Sequence, residues 1–145
     1  MILDYQLEVS SSQTLGNGST TPASATASTN TLDLSSNVRL PEAFVAVHVS
    51  AKSGTTPNLV IDVYGDTASG FGTEKLVASR TIATGDLAAN KVYYVALPPT
   101  AAYRYWRVKY TQNGNNDNQA TVSTWFCDDD HQQISMQLAG GVPAV

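Results

Sequence analysis

The sequence predicts an all-β fold, an antiparallel β-sandwich or jelly roll of about eight strands with little or no helix. Three observations carry this. Apolar residues recur at every second position through much of the chain. Turn-forming residues interrupt these runs at short, regular intervals. No segment carries the three-to-four-residue stripe of an amphipathic helix, although 84–90 or 132–138 could each make one short turn. Successive side chains of a strand point to opposite faces, so a period of two reads as one buried and one wet face, the pattern of antiparallel sheets. Many short strands without helices favour a sandwich or jelly roll.

Taken in order, the predicted strands lie near 2–9, 30–34, 43–51, 58–65, 74–82, 91–97, 103–112 and 119–127. Val45, Val47 and Val49 alternate with Ala46, His48 and Ser50 in the third. Leu59, Ile61 and Val63 alternate with Val60, Asp62 and Tyr64 in the fourth. Trp106, Val108 and Tyr110 alternate with Arg107 and Lys109 in the seventh. These β-branched and aromatic residues fit a pleated surface. Gly54 and Pro57 separate the third strand from the fourth, and Gly65, Gly70 and Gly72 the fourth from the fifth. Gly85 and Asp86 precede the sixth, Pro98 and Pro99 end it, and Asn113-Gly114 opens the last turn. Each break supplies residues that tolerate positive φ or cannot continue a ladder.

A chain of 145 residues suits one domain and can bury a core without staples. The expected domain covers 1–131. Within it, 10–30 is nearly all Ser, Thr, Gly, Ala and Asn, and is expected to be a flexible polar loop or an arm that folds against something. Residues 132–145 form a C-terminal tail, expected to fray unless a partner holds it.

Composition narrows the function. Charged residues make up 14%, against about 25% in ordinary domains. Eight basic residues against twelve acidic ones give a net charge of -4, which disfavours nucleic acid as a partner because phosphate backbones demand a basic face. No run of about 18 apolar residues offers a membrane span. The start, Met1-Ile2-Leu3-Asp4-Tyr5, lacks a basic region followed by a long apolar one, so synthesis in a cytoplasm is expected. The single cysteine, Cys127, makes no internal disulfide and reads as a small strand residue.

Few residues invite chemistry. Asp128-Asp129-Asp130-His131 is the densest run of potential ligands. Consecutive side chains on an extended chain diverge, so it reads as a charged turn, and neither a metal site nor a cofactor is expected. His48 sits opposite the Val stripe as a surface or interface residue. No nucleophile–base set, phosphate loop or identifiable carboxylate pair appears, so no catalytic residue is assigned and the chain is not expected to be an enzyme. Six aromatics, Tyr93, Tyr94, Tyr103, Tyr105, Trp106 and Tyr110, could stack on sugars. Trp106 and Tyr110 fall on the core face with Val108, however, while Tyr103 and Tyr105 fall on the other face, where Tyr and Arg suit a protein interface.

Two stretches carry a resemblance. The chain opens Met1-Ile2-Leu3-Asp4. Later come Leu97-Pro98, the run Tyr103-Arg104-Tyr105-Trp106-Arg107-Val108-Lys109-Tyr110-Thr111, a Gly/Asn turn, and a last strand from Ala120 to Asp128. With the polar, low-charge first third, this resembles the jelly-roll capsid cement (decoration) proteins of tailed bacteriophages. The resemblance implies a structural virion protein on the outer surface of a mature head, self-associated as a homo-dimer or homo-trimer, bridging capsomers of the major capsid protein. Contacts to the capsid or between subunits are then expected at Ile2, Leu3, Asp4, Tyr5, Tyr103, Arg104, Tyr105 and Arg107. Two rivals compete with it: a carbohydrate- or receptor-binding β-sandwich of the virion, with exposed aromatics, and a sandwich hydrolase, with a carboxylate-lined cleft. The fold alone cannot choose, because jelly rolls host all three.

Overall fold

A computed structural model of the chain describes residues 8–15, 25–39, 43–52, 58–112 and 120–127. They form nine strands: β1 (Glu8–Leu15), β2 (Thr26–Ala27), β3 (Leu32–Arg39), β4 (Phe44–Lys52), β5 (Leu59–Asp66), β6 (Lys75–Ile82), β7 (Lys91–Ala96), β8 (Ala102–Gln112) and β9 (Ala120–Cys127). No helix occurs among the described residues, so none there is long and apolar enough to cross a membrane.

The strands make two antiparallel sheets. The four-stranded sheet has the order β1-β9-β4-β7. The five-stranded sheet has the order β2-β8-β5-β6, with β3 also paired to β8. β2 pairs with β8 at Tyr110 and Lys109, and β3 continues along the same strand from Trp106 to Ala102. Counted as one interrupted strand, β2 and β3 reduce the nine to eight, ordered 1-8-3-6 and 2-7-4-5. This is the jelly-roll arrangement that the sequence predicts.

The alternating stripes meet between the sheets. Val45, Val47 and Val49 of β4 face Leu59, Ile61 and Val63 of β5 and Trp106, Val108 and Tyr110 of β8 in one core cluster, all at most 1% exposed. At about 25 cal/mol per Å² of apolar area, each fully buried Val, Leu or Ile contributes roughly 1.5–3 kcal/mol before entropy is counted. The segment after β6 makes one helical turn, with the Asp86 and Leu87 amides both donating to the Ala83 carbonyl (3.0 and 3.1 Å), and buries Leu87.

The first strand differs from expectation. Residues 2–7 of the predicted strand 2–9 lie outside the described residues. Ser10–Leu15, expected within a loop, belong to β1, paired with β9 from Glu8↔Trp125 to Leu15↔Ala120. The backbone ladder and polar side chains supply what the residue types do not. Val9 and Leu15 enter the core, and Ser10 is wholly buried, its Oγ 2.8 Å from the Tyr110 hydroxyl. Gln13 Nε2 donates to the Ala27 carbonyl (2.7 Å), and its Oε1 accepts from the Thr29 amide (3.2 Å), tying β1 to the segment around β2. Ser12 sits at φ 47°, where the register of β1 shifts. The turn at 128–131 and the tail 132–145 lie outside the described residues.

Candidate interaction face

The outer face of the five-stranded sheet concentrates the charged and aromatic side chains of the seventh predicted strand. Alternation along β8 sends Trp106, Val108 and Tyr110 inward and Tyr105, Arg107 and Lys109 outward. Beside them on β5, Tyr64 pairs with Arg107 and Asp66 with Tyr105.

The segment after β5 folds back over this face. Asp66 accepts from the Ala68 amide (3.1 Å), the Thr73 amide (2.9 Å) and the Thr73 hydroxyl (3.0 Å), and so closes the loop 67–73. Burial raises its pKa, but these hydrogen bonds outweigh burial and hold the carboxyl below its ordinary value. The loop places Phe71 under the Arg107 guanidinium, 4.4 Å from ring centre to Cζ, and delivers Glu74 between Arg107 and Lys109. Arg107 Nε donates to Glu74 Oε2 at 2.7 Å, and the Lys109 ammonium binds the other carboxylate oxygen. Burial again raises the Glu74 pKa, and the two cations more than reverse it. Lys109 also lies over the Tyr64 ring at 4.5 Å.

A second ion pair stands at the end of the strand. Arg104 grips Asp33 of β3 through two hydrogen bonds, Nε to Oδ1 (2.8 Å) and Nη2 to Oδ2 (3.0 Å), with its guanidinium 4.8 Å from the Tyr105 ring centre. The hydrogen bond from Arg104 lowers the Asp33 pKa, and Asp33 in turn raises that of Arg104.

The structure brings Arg104, Tyr105 and Arg107 to this face and takes Tyr103 away from it. Tyr103, expected beside Tyr105 on the outside, packs its ring against the core above Gly65 and edge-on to Trp106, with ring centres 5.7 Å apart. The ladder to β5 ends at Tyr105, and β3 carries a register shift opposite Arg104, so the period of two fails there. Ile2, Leu3, Asp4 and Tyr5 lie outside the described residues. Sequence reading missed Phe71, Glu74 and Tyr64 as members of the face. The Asp66…Thr73 spacing signals a self-capped loop, but not the surface on which that loop lands.

Chemically the face is a preorganised set of paired charges over aromatic rings. Cations already lie over the rings of Tyr64, Phe71 and Tyr105, so a sugar stacking from the cation side would have to displace them. Elsewhere, a cleft of about 300 Å³ opens between the edges of β6 and β7, lined by Arg80, Ile82, Asp86, Lys91 and Tyr93 among others. Arg80 is engaged there, donating from Nη1 to the Tyr94 carbonyl (2.7 Å). Among the described residues no three His, Cys, Asp or Glu side chains converge as metal ligands. His48 is half-buried on the outer side of β4, and burial lowers its pKa. No known protein-family model matches the chain, and no curated protein matches it in sequence.

Proposed function

We propose that this chain is a non-enzymatic capsid cement protein of a tailed bacteriophage, binding the outer surface of the mature head and bridging neighbouring capsomers of the major capsid protein as a homo-oligomer. The observation that carries the reading is the outer face of β8, where Arg104, Arg107 and Lys109 are held by Asp33, Glu74 and Phe71 and Tyr105 lies under the Arg104 guanidinium. Tyr and Arg are favoured at protein interfaces because they offer large, amphipathic contact area. Side chains already held in place lose little further entropy on docking. A standard interface buries about 1,600 Å² in total. Many such contacts repeated over a shell, each linking two capsomers, add up through multivalency and resist the outward pressure of packaged DNA.

Co-sedimentation with mature heads stripped of their decoration tests this. Saturation at a fixed, symmetry-compatible ratio of copies to major capsid protein is expected, with binding weakened by Tyr105→Ala and Arg107→Ala. Absence of saturable binding would overturn the proposal, and a glycan screen in which Tyr105→Ala abolishes retention would replace it with the carbohydrate-binding reading.

A further inference from the structure

The cleft between the two sheet edges breaks the pattern that builds the core. β6 ends the five-stranded order and β7 the four-stranded one, and residues of both strands line the cleft. Residues paired across strands share a face. Arg80 pairs with Ile61 and Lys91 with Val49, and both partners are wholly buried in the core. Arg80 and Lys91 therefore hold core-facing positions. The same positions elsewhere on these ladders carry apolar residues, Ile82 opposite Leu59 and Val95 opposite Val45. Charged residues are rare at such positions, and sequence rules of this kind are broken chiefly at functional sites. Edge protection asks for a charge on each exposed edge strand, but not for two such charges to meet. Here they meet: Arg80 Cζ and Lys91 Nζ lie 5.9 and 5.3 Å from the centre of the same buried Tyr93 ring.

The two cations have no counter-ion. Among the described residues Arg104, Arg107 and Lys109 each pair with a carboxylate, whereas Arg80 and Lys91 pair with none. Asp86 lines the same cleft and still forms no ion pair with either. The setting is fixed in advance. The Tyr93 hydroxyl donates to the Asp86 carbonyl (2.6 Å) and accepts from the Ala88 amide (2.8 Å). Arg80 is anchored by its Nη1 on the Tyr94 carbonyl (2.7 Å), and its other N–H donors have no partner among the described residues. We propose that this cleft binds a monosaccharide acid, its carboxylate held by Arg80 and Lys91 and its hydroxyls donating to the Asp86 carboxylate. Three features select that class. The planar fork of an arginine matches a carboxylate, and a lysine beside it adds a second charge-assisted hydrogen bond. The volume, about 300 Å³, stands at the small end of ligand sites and suits one sugar ring. Asp86 offers acceptors, which a hydroxylated acid uses and a simple anion does not. No residue of β8 lines the cleft, so the inference is independent of the capsid reading.

The test follows the backbone amide shifts of Thr81, Lys91 and Tyr93 by NMR in the full chain. Sodium glucuronate and galacturonate are the probes. Glucose and galactose are their uncharged matches, and acetate and glutamate are acids without the ring. Saturable shifts at these amides are expected with the uronates and not with the neutral sugars. Arg80→Gln and Lys91→Gln should each weaken the uronates by about tenfold, the loss of one charge-assisted contact. Lys75→Gln, on the same strand as Arg80 but outside the cleft, should leave binding unchanged. Asp86→Ala should weaken the uronates but not acetate. The spectra themselves show whether each variant is folded. Absence of saturable shifts with either uronate would overturn the proposal, and so would equal binding of the neutral sugars. Acetate binding as tight as the uronates would reduce the cleft to a general anion site, and tighter binding of glutamate would assign it to an amino acid; either result overturns the sugar-acid assignment. None of these outcomes bears on head binding, by which the capsid reading stands or falls.

Discussion

Replacing Gly65 by alanine isolates the contact that turns Tyr103 inward. Gly65 lies near the end of β5, paired with Trp106 and facing the core. A Cβ built there would stand 2.4 Å from Tyr103 Cδ2, 2.5 Å from Cγ and 3.0 Å from Cβ. The backbone of Gly65 is not left-handed, so the constraint is space alone. Either the Tyr103 ring leaves its seat against Trp106 or the strand moves. Overpacking of this kind costs about 1–3 kcal/mol. Alanine recovers about 0.4–1 kcal/mol by restricting the unfolded chain, so Gly65→Ala is expected to destabilise by about 1–2 kcal/mol. Urea denaturation, read as a change in midpoint at constant slope, measures it. The decisive experiment repeats the substitution in a Tyr103→Ala background, where the obstructing ring is gone. There Gly65→Ala should be neutral or slightly stabilising, giving a coupling of about 1–3 kcal/mol in the double-mutant cycle. An equal cost in both backgrounds would refute the assignment of Tyr103 to the interior above Gly65.

Four further outcomes follow from the structure. The Tyr110 hydroxyl lies 2.8 Å from Ser10 Oγ and donates to Thr124 Oγ1 at 2.7 Å, so Tyr110→Phe takes this donor from the buried Thr124 hydroxyl, while Ser10 keeps its hydrogen bond to Gln13, and should cost about 1–3 kcal/mol by urea denaturation. Burial also pushes the Tyr110 pKa from 10.0 up to about 12, so its neutral form is favoured in the fold; stability is full below pH 10, is lost between 10 and 12 by roughly 3 kcal/mol, and that loss should vanish in the Phe variant. His48 has a folded pKa below its ordinary 6.5, so between the two values the unfolded chain binds more protons; stability should fall as pH drops through 6.5, and His48→Gln should flatten that limb in thermal melts run against pH. Asp66 and Glu74 are held below their ordinary values of 3.8 and 4.5, so their contribution is present above those values and lost as pH falls through the folded ones; Asp66→Asn should remove part of this acid limb.

What the sequence disclosed follows from how each element is stabilised. β4, β5 and β8 are held by apolar stripes of Val, Leu, Ile, Trp and Tyr, and a stripe is visible as a period of two. The ladder of β1 is anchored instead by Val9 and Leu15 at its two ends and by the hydroxyl contact of Ser10 with Tyr110, so its sequence resembles a loop. Hydrogen bonds between residues a hundred positions apart leave no local pattern. The candidate face divides the same way. Tyr105, Arg107 and Lys109 could be read from the alternation of β8, whereas Tyr103 could not, because alternation stops being informative where the pairing with β5 ends. Phe71 and Glu74 join the face only through the return of the loop that Asp66 closes, a tertiary event.

The two outer faces together explain why a chain with so few charges can present a specific surface. On the β8 face the charges are concentrated, and each is committed: Arg104 to Asp33, and Arg107 and Lys109 to Glu74. The exposed Arg104–Asp33 pair adds little to stability, about 0–1 kcal/mol. All three pairs also act geometrically, since a paired guanidinium over a ring is held in one place. On the opposite face the charges are nearly absent, and Trp125, Phe44 and Tyr94 offer area instead of direction. Fixed direction with modest area suits a partner recognised among many similar surfaces, where misplaced charges cost more than correct ones return. If the chain docks on a capsid as proposed, the β8 face is the surface on which its selectivity would rest.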